Sequence, residues 1–245
     1  MKVLILAGGR GTRAYPYTDY LPKPMMPVGG KPIIVRVMQI FANQGVTDFV
    51  LSLGYRKEII LDYFAGRSLG WNVELVDTGD EADTGDRVRL CQDYLGDEFF
   101  VTYSDGLCDV DLDKLRAFHR SHEGLATITN VPLRSQYGTI ETDREGRVRA
   151  FREKPILREH RINAGYCIMK KAVFDCWAGS SLEREVFPSL LRSRRLFSFE
   201  HDGFFKSMDT FKDQQELEAM FENREFDWIE PRSSFVRAEE LELVR

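Results

Sequence analysis

A cluster of glycines and cations lies near the beginning of the chain, in the stretch LAGGRGTRAYPYTDYLPKPM. Gly8, Gly9 and Gly11 follow a short apolar run, and a turn of glycines lets backbone N–H groups converge on an anion without Cβ atoms in the way. Arg13 adds a planar guanidinium that matches phosphate oxygens. Lys23 stands between two prolines, which restrict the backbone on both sides of it. This pattern predicts a binding site for a polyphosphate.

Other interpretations of this stretch are possible. Arg13 and Lys23 could simply be solvated side chains of a structural loop. The letters GRGTRA fit the loose dinucleotide pattern G-x-G-x-x-A, but that pattern requires a helix at the glycines and an acidic residue about twenty positions later. The segment AYPYTDYLPKP cannot be a helix and VGGKPIIV contains no acid, so the dinucleotide interpretation fails. A P-loop is also excluded, because Pro32 stands where its hydroxyl residue should be.

Two carboxylates in distant parts of the sequence could hold a cation. Asp105 ends the predicted strand FFVTYSD and precedes Gly106, which permits a sharp exit from the strand. Asp209, in the letters MDT, comes just before a predicted helix. Two such groups brought together would suit a hard cation such as Mg²⁺. On the residues alone, Asp105 could instead cap a turn and Asp209 could be a favourable charge at a helix N-terminus.

The elements that must position these residues follow an alternating order in the first half of the chain. The apolar strands KVLILA, DFVLSLGY, NVELVDT and EFFVTYSDG alternate with the helical patterns KPIIVRVMQIFANQG, RKEIILDYFAG and GDRVRLCQDYL. Pro32 suits the first turn of the first helix, and Gly45 suits its C-terminal cap. This order predicts a parallel sheet covered on both faces, with a ligand site beyond the carboxyl ends of its strands.

After residue 125 the pattern changes. The strands ATITNVP, GTIETD, RVRAFREKP and NAGYCIMKK are predicted, with a turn at Gly146. The segment TFKDQQELEAMFENR is predicted to be a helix that begins with a capping box formed by Thr210 and Asp213. Its apolar face consists of Leu217, Met220 and Phe221. We see no linker or repeat, which indicates one α/β domain.

The composition limits the function. The chain has 245 residues, of which 43% are hydrophobic and 30% charged, and its net charge is −5. These values are ordinary for a globular protein. The basic residues are scattered, so neither a nucleic-acid surface nor a polybasic membrane anchor is expected.

The cysteines and the apolar segments indicate the compartment. Cys91, Cys108, Cys167 and Cys176 share no C-x-x-C spacing, so a zinc site or a redox pair is not indicated. KVLILA is too short for a signal-peptide core, and no later stretch has the apolar length needed to span a bilayer. We expect a cytoplasmic protein.

Taken together, several motifs resemble the sugar-1-phosphate nucleotidyltransferases. LAGGRGTR, PKPM and GGKP are followed, in the order found in that family, by VDTGD, TGDR, YSDG, YGTIE, FREKP, NAGY and FEHDGFFKSMDT. The resemblance covers most of the chain. It implies a Rossmann-like α/β fold with a mixed, mainly parallel sheet flanked by helices and with inserted sugar-binding strands. Residues 1–245 would form a single domain, with a nucleotide-binding half over about 1–125 and a sugar-phosphate-binding half over 126–245.

The resemblance also implies a reaction and a set of residues. A sugar 1-phosphate would attack the α-phosphorus of a nucleoside triphosphate, and pyrophosphate would leave. Arg13 and Lys23 would be catalytic, and Asp105 and Asp209 would bind Mg²⁺. The implied nucleotide-binding residues are Leu6, Ala7, Gly8, Gly9, Gly11, Thr12, Arg13, Lys23, Thr84, Gly85, Arg87 and Ser104. The implied sugar-phosphate-binding residues are Gly138, Glu153, Lys154 and Asn163.

Several of these residues have structural alternatives. Thr84 could be the N-cap of the helix that follows it. Arg87 in the first turn of that helix is electrostatically unfavourable unless an anion is near, which favours a nucleotide contact. Glu153 and Lys154 could form an exposed ion pair at a strand end, and Asn163 could simply bind loop backbone.

Within the family, VDTGDEADTGDR and FEHDGFFKSMDT are most similar to the cytidylyltransferase branch, which implies CTP and glucose 1-phosphate as substrates. The chain departs from that branch in its letters SDG and NAG, and in a short segment before Val76. Another base, another sugar 1-phosphate or a non-catalytic sugar-nucleotide-binding subunit stay as alternatives. A homo-oligomer is possible in this family.

Overall fold

A computed structural model describes residues 1–67 and 69–230 of the chain. The described residues form six α-helices: α1 Ile33–Ala42, α2 Lys57–Phe64, α3 Thr84–Leu90, α4 Leu112–Arg120, α5 Phe187–Arg192 and α6 Phe211–Glu222. They also form thirteen strands: β1 Lys2–Leu6, β2 Pro27–Val28, β3 Lys31–Pro32, β4 Asp48–Leu53, β5 Asn72–Asp77, β6 Glu98–Tyr103, β7 Gly106–Cys108, β8 Ala126–Arg134, β9 Thr139–Thr142, β10 Val148–Arg152, β11 Ile156–Lys170, β12 Leu196–Glu200 and β13 Phe205–Ser207.

Seven strands form the central sheet, in the order β12-β8-β11-β6-β1-β4-β5. The four strands of the first half, β6, β1, β4 and β5, run parallel. Strand β11 is antiparallel to both of its neighbours, and β12 is again parallel to β8. The prediction of a mixed, mainly parallel α/β sheet is therefore confirmed. The sheet joins the two proposed halves, because β11 pairs with β6 across the proposed boundary at residue 125.

Strand β1 is apolar on both faces because helices cover both faces of the sheet. Val3 and Ile5 belong to the core on the side of α1 and α6. Leu4 and Leu6 belong to a second core on the side of α3 and α5. Each of these side chains is nearly inaccessible, and such burial stabilises the fold by about 2 kcal/mol per side chain. The strand thus brings the glycine turn rigidly to the edge of the sheet.

Most predicted elements occur, with shifted ends. Helix α1 begins at Ile33, because Pro32 is its N-cap and not a first-turn residue. Gly45 follows the helix with φ of +78°, the left-handed conformation that a C-terminal glycine provides. The turn at Gly146 and the capping box at Thr210 are both present, and Leu217 is fully buried beneath α6.

Helices α4 and α5 and strands β7, β12 and β13 are absent from the sequence-based prediction. Strand β7 is only three residues long and β13 equally short, so neither carries a readable period. The last part of the single-domain prediction, residues 231–245, lies outside the described residues. Among the residues that are described, every helix is too short or too polar to cross a membrane.

Candidate active site

The pairing of two short strands brings Asp105 and Asp209 together. Strand β7 begins directly after Asp105, and β13 ends two residues before Asp209. The strands are antiparallel, with Ser207 opposite Gly106. The register places the beginning of β7 beside the end of β13, and the Met208 N–H donates to the Asp105 carbonyl at 2.9 Å. Two carboxylates from distant segments therefore share one position at the carboxyl edge of the sheet.

Lys23 lies between these two carboxylates. Its Nζ is 2.5 Å from Asp105 Oδ2 and 3.0 Å from Asp209 Oδ1. The lysine is only 7% exposed, which is rare for this residue type unless the charge is paired. Arg13 approaches from solvent and places a guanidinium nitrogen 2.9 Å from Asp209 Oδ1. The structure thus brings together four of the charged residues that the sequence predicted for the site.

The surrounding charges decide the ionisation of Asp209. Burial alone would raise the pKa of its carboxyl group, but the charge and hydrogen bond of Lys23, together with Arg13 and Ser207, lower the pKa below its ordinary value. Asp209 is therefore an anion near neutral pH. An ionised carboxylate is what a cation site requires.

The donor set of this cluster fits a hard divalent cation. Asp105 and Asp209 supply oxygen ligands only, and an oxygen of each lies within 3.0 Å of a single nitrogen. Both carboxylates are partly exposed, so water and phosphate oxygens could complete the coordination that Mg²⁺ prefers. The two carboxylates stay our proposed ligands for Mg²⁺.

Arg87, on α3, binds the backbone of the turn after β1. The Arg87 guanidinium is buried and donates to Gly8 O at 3.0 Å, Leu53 O at 3.1 Å and Thr78 Oγ1 at 2.7 Å. A Cβ on Gly8 would lie 1.9 Å from a guanidinium nitrogen, so this glycine is required for the close approach. The sequence predicted a nucleotide contact for Arg87. In the structure its guanidinium binds the backbone of the turn, and the nucleotide contact stays a prediction.

The other glycines of the turn differ in the space around them. Gly11 has φ of +61°, and a Cβ there would lie 2.9 Å from Lys23 Cβ, so the turn packs directly on the lysine. Gly9 has open space around its Cα, where a phosphate could approach the backbone. Thr12 is exposed at the cleft. Of the remaining predicted nucleotide contacts, Leu6, Ala7 and Ser104 are buried at the strand ends.

Thr84 and Gly85 begin α3, and the residue before them is its N-cap. Asp83 caps the helix by accepting the Thr84 N–H at 2.7 Å, so the suggestion that Thr84 is the N-cap is wrong. The Thr84 hydroxyl instead donates to Glu183 Oε2 at 2.7 Å. A Cβ on Gly85 would lie 2.7 Å from Ser180 O, so the helix start packs closely on that segment.

The predicted sugar-side residues lie on and next to the β9–β10 hairpin and on β11. A Cβ on Gly138 would lie 3.0 Å from a Glu153 carboxylate oxygen, so these two residues face each other. Lys154 has φ of +44° before a proline, a strained conformation for a residue with a side chain. Such strain is often stored at functional sites. Asn163 lies on β11, and its side chain accepts the Gly165 N–H at 2.9 Å.

Two residues that the sequence-based analysis missed border this site. Tyr103 is the last residue of β6 and its hydroxyl donates to Glu183. Tyr103 stands in the motif YSDG, but no motif pairs it with Glu183, because the contact joins segments far apart in the chain.

A second group of possible metal ligands lies nearby. Cys108, Asp109 and His201 place one ligand atom each within 4.8 Å of one another. Two of the three ligand atoms already have partners, because Asp109 Oδ1 accepts the Phe204 N–H and contacts His201 Nε2 at 2.7 Å. Burial raises the pKa of the Cys108 thiol to about 12, so the thiol stays protonated. These contacts fasten β7 to the segment that leads to Asp209.

The site consists of a glycine turn, two carboxylates and two cations at the carboxyl edge of a mainly parallel α/β sheet. These features are typical of a protein that binds phosphate groups. The chain belongs to the nucleotidyl transferase family, whose profile matches residues 2–191. The resemblance to the sugar-1-phosphate nucleotidyltransferases is thereby confirmed, as is the expected fold.

Individual relatives extend along nearly the whole chain. A glucose-1-phosphate cytidylyltransferase of Salmonella typhimurium is 35% identical over 93% of this chain and 98% of its own length. A mannose-1-phosphate guanyltransferase of Neurospora crassa is 36% identical over 87% of this chain, but over only 62% of its own length. The structure of HddC from Yersinia pseudotuberculosis complexed with GMP-PN has a TM-score of 0.69, 25% identity, and coverage of 90% of this chain and 99% of the other.

Proposed function

We propose that this enzyme condenses CTP with glucose 1-phosphate to give CDP-glucose and pyrophosphate. The observation that carries this choice is the match to a glucose-1-phosphate cytidylyltransferase along almost its entire length. The guanyltransferases extend well beyond the region that they share with this chain. The motifs VDTGDEADTGDR and FEHDGFFKSMDT support the same branch.

In this reaction a phosphate oxygen of the sugar 1-phosphate bonds to the α-phosphorus of CTP. The bond from that phosphorus to the bridging oxygen breaks, and pyrophosphate leaves with the electron pair. The nucleophile is a phosphate monoester that is already ionised near neutral pH, so no general base is needed. The enzyme must instead neutralise and align two anions that repel each other.

The residues of the cleft divide this task. Arg13 is exposed and neutralises the leaving pyrophosphate, while Lys23, between the two carboxylates, contacts the phosphates that react. Asp105 and Asp209 would hold Mg²⁺. A bound Mg²⁺ would supply positive charge that neutralises the phosphate oxygens around the transferring phosphorus.

The backbone of the turn and the sugar-side residues hold the two substrates. Gly8, Gly9 and Gly11 present N–H groups to the triphosphate, at an edge where helix and strand ends favour anions. Lys154 binds the sugar phosphate, and Glu153 accepts hydrogen bonds from sugar hydroxyls. Gly138 and Asn163 complete this side through close backbone approach and an amide.

The test is a substrate panel. Each nucleoside triphosphate is paired with a series of sugar 1-phosphates in the presence of Mg²⁺, and phosphate release is followed with coupled pyrophosphatase. We expect the highest kcat/KM for CTP with glucose 1-phosphate, and no turnover in excess EDTA. A preference for GTP or for mannose 1-phosphate would contradict the proposed substrates but would still support the proposed type of reaction. No turnover for any pair would favour a sugar-nucleotide-binding subunit.

A further inference from the structure

The side chain of Glu183 connects two parts of the cleft. Glu183 lies in the short π-helical turn Leu182–Val186 that precedes α5. One carboxylate oxygen, Oε2, accepts the Thr84 hydroxyl at 2.7 Å. The other, Oε1, accepts the hydroxyl of Tyr103. An ionised carboxylate has only acceptors, so it can serve two donors from opposite sides at once.

On the nucleotide side, Glu183 holds the beginning of α3. Besides donating to Glu183, the Thr84 hydroxyl accepts the Leu182 N–H at 2.9 Å. The Asp86 N–H donates to Ser180 O at 3.0 Å. The segment TGDR, proposed to contact the nucleotide, is therefore fastened to residues 180–183 by both side chain and backbone.

On the other side, Glu183 holds the end of the strand that leads to Asp105. Burial and the neighbouring Glu183 charge both raise the pKa of Tyr103, so its hydroxyl keeps its proton and donates. The Tyr103 ring packs on Gly165, where a Cβ would lie 2.4 Å from Cδ2. The Gly165 N–H is in turn bound by Asn163 at 2.9 Å. Tyr103 thus links Glu183 to the proposed sugar side.

We infer that Glu183 is a positioning residue that fixes the nucleotide-binding segment TGDR relative to the strand carrying Asp105. This inference rests on the proposed nucleotide role of Thr84 and Gly85. Glu183 itself contacts Thr84 and Tyr103, and it acts on the substrate through them. Its loss loosens the nucleotide segment while the charged cluster around Lys23 stays in place.

The test compares Glu183→Ala with Glu185→Ala. Glu185 lies in the same turn and accepts the Ser180 and Ser181 N–H groups at 2.7 and 3.0 Å, yet it touches neither Thr84 nor Tyr103. We expect Glu183→Ala to raise KM for the nucleotide about tenfold, the effect of one good hydrogen bond, while kcat falls less than about threefold. Glu185→Ala is expected to leave the nucleotide KM within about twofold of wild type. Equal effects of the two variants would mean general loosening of the turn and would overturn the inference.

A double-mutant cycle with Thr84→Val locates the effect. If Glu183 acts through Thr84, the double variant has about the same nucleotide KM as Glu183→Ala alone, because the interaction is already lost. If the increases in nucleotide KM of the two single variants multiply in the double variant, Glu183 does not act through Thr84. Glu183→Asp, which keeps both acceptor oxygens, is expected to recover part of the affinity, and a variant no better than Glu183→Ala would count against the carboxylate.

Nucleotide binding is measured in the same samples by calorimetry, with CTP and with GTP, so that the two proposals can be separated. Wild-type protein that binds a nucleotide without turning it over would overturn the proposed function, and weaker binding by Glu183→Ala would still support this inference. Wild-type protein that binds no nucleotide would overturn both.

Discussion

Lys23 lies at the centre of the charged cluster proposed to be the active site. Its ammonium contacts both carboxylates that are proposed to bind the metal ion, and its own burial is compensated by those contacts. A point charge on a flexible stem can move from the carboxylates to a phosphate when substrates arrive. Arg13, at the rim, shares Asp209 with it. The cluster is therefore a set of charges in balance before any substrate binds.

Replacing Asp105 with Asn tests the metal assignment. The amide keeps the shape of the side chain but removes its charge, so we expect kcat to fall by at least about a hundredfold while the far-UV circular dichroism stays unchanged. Asp113→Asn, at an exposed position of α4, is the matched control and should keep full activity. Wild-type rates for Asp105→Asn at saturating Mg²⁺ would rule out its role as a ligand.

Replacing Lys154 with Ala tests the sugar-phosphate site. A charge-assisted hydrogen bond to a phosphate contributes about 1.5–3 kcal/mol, so KM for the sugar 1-phosphate should rise at least tenfold, and the nucleotide KM by less than about twofold. Arg152→Ala serves as the control, because this arginine is exposed on the same hairpin and pairs with Glu141. If both substrates are affected equally, Lys154 does not bind the sugar phosphate specifically.

At the scale of elements, Arg87 connects three loops at the edge of the sheet. Its guanidinium on α3 binds carbonyl groups after β1, at the end of β4 and after β5. Burial lowers the pKa of this arginine, and the charges of Asp80 and Asp83 oppose that shift. The glycine turn thus owes its shape to a side chain on a helix well beyond it in the sequence.

We expect Arg87→Ala to lower the free energy of unfolding by about 2–4 kcal/mol, because several buried carbonyl groups lose their donor. Arg87→Lys should recover little of this loss, since one ammonium cannot reach three loops. The measurement is urea denaturation, with the exposed Arg89→Ala as control. A stable Arg87→Ala protein with only a raised nucleotide KM would instead support the direct nucleotide contact predicted from the sequence.

The last turn of α4 and the segment after it contact β8 through two histidines, His119 and His122. Gly124 N–H donates to His122 Nδ1 at 3.0 Å, so His122 carries its proton on Nε2 and donates to Thr127 Oγ1. The Thr127 hydroxyl then donates to His119 Nδ1 at 2.7 Å. This network leaves a proton on His119 Nε2, a buried atom that finds no partner among the described residues. Burial, followed by the charge of Lys170, lowers the pKa of His119 to about 4.

This histidine should make the fold less stable in weak acid. The unfolded chain binds a proton at the ordinary histidine pKa of 6.5, and the folded protein does so only near pH 4. Stability is therefore full above pH 6.5 and falls as pH drops toward 4, by about 2 kcal/mol at pH 5. Carboxyl groups whose pKa is lowered change the stability only below about pH 4, so they do not contribute to the loss between pH 6.5 and pH 5.

Denaturation at pH 7.5 and pH 5 measures the effect. The difference in unfolding free energy between the two pH values should shrink in His119→Gln, even if that variant is less stable than wild type at neutral pH. It should persist in His160→Gln, because His160 is exposed. An unchanged pH dependence in His119→Gln would assign the acid sensitivity to other groups.

At the scale of the whole molecule, one sheet runs through both proposed halves. The antiparallel strand β11 pairs with β6 on one edge and with β8 on the other, so the sugar-side strands are built directly onto the nucleotide-side sheet. Both core clusters that cover this sheet also draw residues from both sides of position 125. The proposed substrate-binding groups of the two proposed halves are therefore held by shared hydrogen bonds and shared packing.

This continuity predicts a single cooperative unfolding transition, in agreement with the single domain proposed from the sequence. The chain has three tryptophans, of which Trp71 lies in the first half and Trp177 in the second. In variants that retain a single tryptophan, either Trp71 or Trp177, the fluorescence transition should coincide with the far-UV circular dichroism transition of the same variant. Separate midpoints would indicate two domains.

The sequence by itself indicated a phosphate site, and its resemblance to the sugar-1-phosphate nucleotidyltransferases implied the reaction. Glycines after an apolar strand, a lysine between prolines and two aspartates at element ends are local patterns, and each can be recognised without knowing its neighbours in space. The alternation of strands and helices in the first half was equally readable, because buried parallel strands are apolar throughout. The helix at Thr210 was predictable from its capping box.

Only the tertiary structure decided how these parts meet. The short strands β7 and β13 have too few residues to show a period, yet their pairing joins Asp105 to Asp209. The sequence suggested a nucleotide contact for Arg87, which stays a prediction, and only the fold shows that its guanidinium binds backbone carbonyl groups of three segments. Glu183 belongs to none of the motifs found in the sequence. Its contacts with Thr84 and Tyr103 exist only because α3, β6 and the turn before α5 lie next to one another. Such contacts depend on the packing of segments far apart in the chain, which no local pattern records.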